Sequence, residues 1–304
     1  HSFAKRGRTI SFGFNTGWNK NDGETITNAQ YKFYNNGIAT DSLQNRFSDN
    51  STSGTTIGGN IAYTEPIGKK GQLQFDYTPS VQKNKADQQT FTYDGQKYSV
   101  FDETLSNRFD NTVITNNAGI NYRLGQSRDE QLSFGVNFQN SKLESQRVYP
   151  TTTNVNQSFS NILPNLMYRK KIGMYTNIRV FYRASTNFPS ISQLQDVVNL
   201  SNPLRVSSGN PDLKQSYTNF LSGRYSYTNT KTGKSFFANL FLQTASDYIS
   251  TATYVAAADS SIQQNIILKK GSQLTKPINL DGYKSLRTFF TYSMPLQFIK
   301  TTLN

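Results

Sequence analysis

Several residue types are scarce in this chain, and each scarcity closes off a class of chemistry. There is no cysteine among the 304 residues, so disulfides and thiolate reactions are unavailable, which fits exposure to a periplasm. The single histidine is His1 at the terminus, so neither a Ser-His-Asp nor a Cys-His constellation can be assembled. Adjacent carboxylates occur at Asp102-Glu103 and Asp129-Glu130, but neighbours in an extended chain point apart and make no natural acid–base couple. Glycine-rich phosphate loops and zinc-ligand spacings are also missing. The expectation is a protein that is not an enzyme, with no catalytic residues, no metal site and no cofactor. Long apolar runs are lacking too. Hydrophobic residues make up 35% of the chain and the mean hydropathy is −0.62, and nothing approaches the roughly 18 apolar residues of a spanning helix. The most apolar window, 248–258, is interrupted by Ser250, Thr251 and Thr253. Residues 1–7 have no apolar signal core, so either a signal has been removed or the chain is part of a longer one.

The net charge of +13 raises the question of nucleic acid. The basic residues, however, are dispersed beside short turns: Lys5, Arg6 and Arg8; Lys69 and Lys70; Arg169, Lys170 and Lys171; Lys231 and Lys234. Dispersed turn charges are solvated, and no nucleic-acid partner is expected.

What the chain does have is alternation. Between positions 8 and 20, Ile10, Phe12, Phe14, Thr16 and Trp18 fall on one parity, and Thr9, Ser11, Gly13, Asn15, Gly17 and Asn19 on the other. Such a strand has one face toward an apolar medium and one toward water. The pattern recurs at 51–64, 72–81, 111–124, 131–141, 158–168, 175–185, 214–228, 235–244 and 280–292, with 298–304 opening one more strand. These are near the roughly 9–11 residues of a tilted membrane-crossing strand. The connections alternate in length: long at 21–50, 82–110, 142–157, 186–213 and 245–279, and short at 65–71, 125–130, 169–174, 229–234 and 294–297. Tyr63, Tyr122, Tyr168, Tyr227 and Tyr292 gather beside the short turns as an interfacial girdle would. A soluble β-sandwich also alternates, but its strands run about 5–6 residues and its connections are not sorted by side. The expected fold is all-β, a transmembrane antiparallel up-and-down β-barrel, with short turns periplasmic and long loops extracellular.

One stretch carries a recognisable text: Tyr182-Arg183-Ala184-Ser185-Thr186-Asn187-Phe188-Pro189-Ser190-Ile191-Ser192-Gln193-Leu194, then Ser201-Asn202-Pro203-Leu204, then Gly209-Asn210-Pro211-Asp212-Leu213-Lys214-Gln215. It resembles the barrel of TonB-dependent receptors, in the Bacteroidota type of outer-membrane β-barrel proteins. There an NPxLKPE-like phrase precedes re-entry into the membrane; here Gln215 and Ser216 replace Pro-Glu. Tyr63 to Lys69, Asn161 to Pro164, Leu280 to Tyr283 and Met294 to Lys300 extend the resemblance over essentially the whole chain. It implies a barrel of about twenty-two strands behind an N-terminal plug with a TonB-contacting box, in the outer membrane of a Gram-negative cell. The ten to eleven strands here would then be an excerpt of one barrel domain, since a half-barrel leaves two unsatisfied edges in lipid. The implied partners are outer-membrane lipid, the plug and remaining strands, a TonB-type inner-membrane protein and a surface lipoprotein. The implied activity is capture of a scarce nutrient by extracellular loops and its import. A scaffold barrel without transport and a soluble secreted adhesin are the other readings.

Three groups of candidate residues follow. Arg123, Arg169, Arg179, Arg183, Arg224 and Arg287 share the inward parity, with Asp76 the clearest inward acid. They either solvate the lumen or pair with acidic groups of a plug or an anionic ligand. Phe91, Tyr93, Tyr98, Phe101, Arg108, Arg147 and Tyr149 fall on the long connections, where aromatic and arginine side chains form either a binding surface or ordinary loop packing. Gly209, Asn210, Pro211 and Leu213 either set up strand entry, glycine and proline dictating the backbone, or touch a ligand.

Overall fold

The computed structural model describes residues 3–35, 38–125, 127, 129–149, 152–194, 196, 198–199, 202–263, 266–296 and 301–303. Its elements in chain order are β1 (Thr9–Asn35), β2 (Ile38–Ile67), β3 (Gly71–Tyr93), β4 (Tyr98–Phe101), β5 (Asn107–Leu124), β6 (Glu130–Tyr149), β7 (Thr153–Ile172), β8 (Thr176–Asn187), α1 (Ile191–Leu194), β9 (Arg205–Ser207), β10 (Ser216–Asn229), β11 (Lys234–Ser246), β12 (Tyr248–Val255), β13 (Ser260–Gln263), β14 (Ile266–Leu268), β15 (Gln273–Leu280), β16 (Tyr283–Leu296) and β17 (Thr301–Leu303). The main sheet is an antiparallel meander, β1-β2-β3-β5-β6-β7-β8-β10-β11-β16-β17, with β4 folded back on β3. Its path runs from β1 to β17 without closing on itself. The short turns all lie at one end and the long connections at the other.

The register converts sequence alternation into continuous apolar rows. Ile10, Tyr63, Phe75, Ile120, Val136 and Pro164 stand opposite one another across β1, β2, β3, β5, β6 and β7. A second row joins Leu73, Tyr122, Phe134, Leu166, Tyr182, Leu221, Leu242 and Leu286 from β3 to β16. These side chains are not core: Ile120 is 52% exposed, Val136 50% and Leu286 65%. A contiguous exposed apolar belt of this extent is expected to meet lipid. Tyr122 packs on Phe134 at 5.5 Å, Tyr225 on Phe236 at 6.0 Å and Tyr175 on Tyr227 at 6.2 Å, near the short-turn end of the belt.

The strands do not stop where their apolar parity stops. Beyond Val81 the outward positions of β3 are Lys83, Lys85, Asp87 and Gln89, yet pairing with β2 continues to Thr92. Residues 21–50, expected as a loop, are instead a β-hairpin of β1 and β2 paired up to Asn35 and Ile38. In the same way 82–110 holds the ends of β3 and β5 with the β4 hairpin and a 3-10 turn at Glu103–Leu105, and 142–157 is mostly strand. Both faces of these extensions meet water or other protein. The period-two hydrophobic signal therefore disappears while the backbone ladder persists. At the other end, Met294 to Leu296 pair with Thr301 to Leu303 rather than turning. Gln297 to Lys300, like Gln126, Arg128 and Ser201, lie outside the described residues.

The inner face differs from one side of the sheet to the other. Across β3, β5, β6 and β7 it is a close amide network: Asn121 Nδ2 donates to Asp76 Oδ1 (3.0 Å), and Asn165 Nδ2 to Asn121 Oδ1 (3.2 Å). A Cβ at Gly119 would collide with Asn137 and the Asp76 carboxylate, and one at Gly135 with Asn121, so both positions hold glycine to let the amides lie flat on the wall.

An arginine placed in the belt separates lipid from water. Ile120→Arg is expected to lower the unfolding free energy of the full-length protein in bilayers by about 2–4 kcal/mol, whereas Thr112→Arg, above the belt on the same strand, changes it by less than about 1 kcal/mol. Denaturant titration of the two variants checks this.

Candidate functional site

Two long connections fold inward over the mouth of the sheet instead of standing out in solvent. In 188–215 and 247–282, β15 pairs antiparallel with β12 and in parallel with β9, giving a cap with its own small core of Val198, Val206 and Leu268. The cap is fastened to the inner wall by Leu194 and Leu213, which bury against Leu143 of β6. The residues singled out in the sequence motif make the fastening. Asn210 donates its backbone N–H to the Gln193 carbonyl (2.6 Å) and its Nδ2 to the Pro277 carbonyl (3.0 Å). The Pro211 carbonyl accepts from Gln157 Nε2 of β7 (3.2 Å), and Leu213 is fully buried. Asn279 completes the staple: its Oδ1 accepts from the Lys214 N–H (2.8 Å), while its Nδ2 donates to the carbonyls of Lys214 (3.1 Å) and Asp247 (2.8 Å).

Beneath the cap is a cavity of about 410 Å³. Its wall is made by Thr27, Arg46, Ser48, Gln88, Thr90 and Asn107 from the extended strands, and its cover by cap residues including Ser192, Asn199, Ser208, Gly209, Thr251 and Thr275. Gly209 is thus the motif residue that reaches the cavity. The wall is held by hydrogen bonds: Thr90 Oγ1 donates to the Leu105 carbonyl (3.0 Å) and lies 3.0 Å from Ser48 Oγ, and the Thr90 N–H donates to Ser106 Oγ (2.9 Å). Burial lowers the pKa of Arg46, and the charges of Asp102 and Tyr31 partly restore it. The sequence reading missed this wall because 21–50 and 82–110 show no hydrophobic alternation. The signal available was a polar one, the Ser/Thr/Asn-rich run from Ser48 to Thr56 leading into a strand.

Below the cap the inner wall is basic and aromatic. Arg169, Arg179 and Arg224 stand directly opposite one another across β7, β8 and β10, continuing to Asn239 and Phe289. Like charges so placed repel, and Asp76, the acid on the inward positions of the long strands, lies on β3 and binds Asn121. Arg224 sits over the Phe237 ring at 5.8 Å. Arg183 faces Asn165 and Phe220, Arg287 faces Phe241, and Arg123 lies between Gln72 and Ser133. Inward phenylalanines run alongside, with Phe181 to Phe220 at 6.5 Å and Phe220 to Phe241 at 6.3 Å.

The remaining candidates divide. Arg147 points inward and donates from Nη1 to the Asp196 carbonyl of the cap (3.2 Å). Tyr93, Tyr98, Phe101, Arg108 and Tyr149 belong to strands rather than loops, or end them, and form an aromatic cluster away from the cavity. Phe101 lies 5.6 Å from Phe91 and 5.9 Å from Tyr149; Tyr98 lies 5.3 Å from Tyr93 and 6.0 Å from Phe47. Tyr149 donates its hydroxyl to Asp87 Oδ1 (2.5 Å), beside Arg108.

Burial and the Asp87 carboxylate push the Tyr149 phenol up to about 12. The fold favours its neutral form, so its stabilisation is complete below about pH 10, the ordinary value, and is lost as the pH rises toward about 12. The difference in unfolding midpoint between the wild type and Tyr149→Phe is expected to shrink over that interval. Asn210→Ala should loosen the cap without unfolding the sheet, seen as faster proteolytic cleavage within 188–215 or 247–282 while the protein keeps its heat-resistant barrel migration.

The model of the family described as "Outer membrane protein beta-barrel family" matches residues 1–304. No curated protein matches the chain. Among solved structures, the hemophore receptor HasR of Serratia marcescens, a double mutant in complex with its hemophore HasA and heme, is 11% identical with a TM-score of 0.54, covering 94% of this chain and 49% of its own. The copper transporter OprC is 12% identical with a TM-score of 0.63, covering 94% of this chain and 41% of its own. At such identities the likeness is one of fold. The chain spans less than half the length of each.

Proposed function

Because the chain belongs to the outer membrane protein beta-barrel family, and so lies in the outer membrane, we propose that it forms part of the wall of a TonB-dependent receptor. In this reading the receptor takes up a scarce solute and admits it from the extracellular side. The observation that carries the reading is the arrangement of the lumen: a capped polar cavity at the extracellular end opens above a wall of arginine and phenylalanine. A water-filled pore has polar inward positions. Phe181, Phe220, Phe241 and Phe289 on that face fit a lumen filled by protein, and the opposed arginines fit acidic groups on it. A plug domain meets both requirements. The free edge of β1, and that of β16 outside its short pairing with β17, would be met by further strands of the same barrel, because lipid offers their backbone groups no partner. An energised inner-membrane partner of the TonB type would displace the plug, and a surface lipoprotein could deliver cargo to the cap.

Growth under limitation by single nutrients tests the reading. Deleting the full-length gene and inactivating the TonB-type energiser are expected to give the same defect on the same nutrient, and restored Phe220→Ala protein should raise passive leakage of small dyes about several-fold as plug packing loosens. A deletion defect that is independent of the energiser would instead favour a scaffold barrel.

A further inference from the structure

Arg46 stands apart from the other inward arginines. It lies on β2 above the lipid belt, half-buried in the wall of the cavity, where burial disfavours its charge. Asp102 acts on it only at a distance, and among the described residues no carboxylate is paired with it. A desolvated guanidinium without an ion partner is costly unless an anion completes it. The surfaces around it offer the Asn107 amide and the Ser208 hydroxyl, with the Gln88 amide and the Ser48 hydroxyl already bonded within the wall, and the described residues lining the cavity, Leu105, Val198 and Pro277 among them, include no acid, histidine, methionine or aromatic ring. A metal chelate of the catechol type would find nothing to stack on, and a neutral sugar would leave the cation unanswered.

We infer that this cavity captures a small, hydroxyl-rich monoanion, a carboxylate of the sugar-acid kind. The Arg46 guanidinium takes the carboxylate in a two-pronged hydrogen bond, and the hydroxyl and amide wall exchanges hydrogen bonds with the ligand's hydroxyls. The inference rests on the uptake reading above and names its substrate class. The volume, about 410 Å³, suits a ligand of one or two sugar-sized units at the lower end of known pockets. One cation argues for a carboxylate over a phosphate monoester, which carries close to two charges at neutral pH. The wall below continues the attraction. Arg123, Arg179, Arg183, Arg224 and Arg287 all face inward, against Asp76 as the one acid at the inward positions of the described long strands, and a cleft lined by one sign of charge concentrates the opposite ion.

Calorimetric titration of the full-length protein in detergent, with galacturonate and gluconate as probes against galactose, glucose and glucose 6-phosphate, tests this. One of the acids is expected to bind at least about tenfold more tightly than its neutral counterpart and than the phosphate, with Arg46→Gln abolishing the difference. Arg46→Lys should keep part of it, and Arg108→Gln, on the outer face, all of it. Should Arg46→Gln fail to fold, Asn107→Ala, which leaves the cation in place, is expected to weaken the acid about threefold to tenfold. Equal affinity for acid and neutral sugar, tighter binding of the phosphate, unchanged binding in Arg46→Gln or no binding of either acid overturns the assignment. Because titration needs no inner-membrane partner, the two readings fail separately. Energised uptake of another nutrient without acid binding overturns the site alone; acid binding without energised uptake overturns the import reading.

Discussion

Everything in this structure follows from one demand: in lipid, a backbone N–H or C=O has no partner except another strand. A meander in which each long strand from β2 to β11 pairs with a neighbour on both sides meets that demand along the interior of the path. Once the ladder is fixed, side chains have only two destinations. Those on one parity form the rows from Ile10 to Pro164 and from Leu73 to Leu286 that face the membrane; the others must make a lumen. The same ladder runs on above the belt, where nothing apolar requires it, and there it supplies the wall of the cavity.

The lumen has two regimes. Across β3 to β7 the wall is finished: Asp76, Asn121 and Asn165 satisfy one another, and Gly119 and Gly135 keep the surface flat. Across β8 to β16 the wall is unfinished, with arginines opposed at short range and phenylalanines aimed at solvent. An unfinished surface of that composition has the chemistry of an interface. The cap joins the two regimes at the top, seated through Leu213 and held by Asn210 and Asn279.

Legibility differed by residue. The belt could be read directly, because lipid on one side and water on the other imposes a period of two on strands such as 72–81. The inward parity of Arg179, Arg183, Arg224 and Arg287 came with it, since fixing one face fixes the other. Extension of β1 to Asn35 and β2 back to Ile38 was not legible, because a strand with polar surroundings on both faces has no period to display. Arg46 was hidden for the same reason. The Gly209–Leu213 motif was visible as chain-directing text, but its partners Pro277 and Gln157 lie more than fifty residues away.

By itself the sequence determined that this is an alternating β protein with an apolar outer face, a polar inner one and turns sorted by length, because these properties are periodic and local. Only the tertiary structure decided which arginines oppose one another, which loops fold inward, and that Arg46 sits in a polar cavity beneath them. Those outcomes depend on register and on contacts between distant segments, and no window of neighbouring residues contains that information.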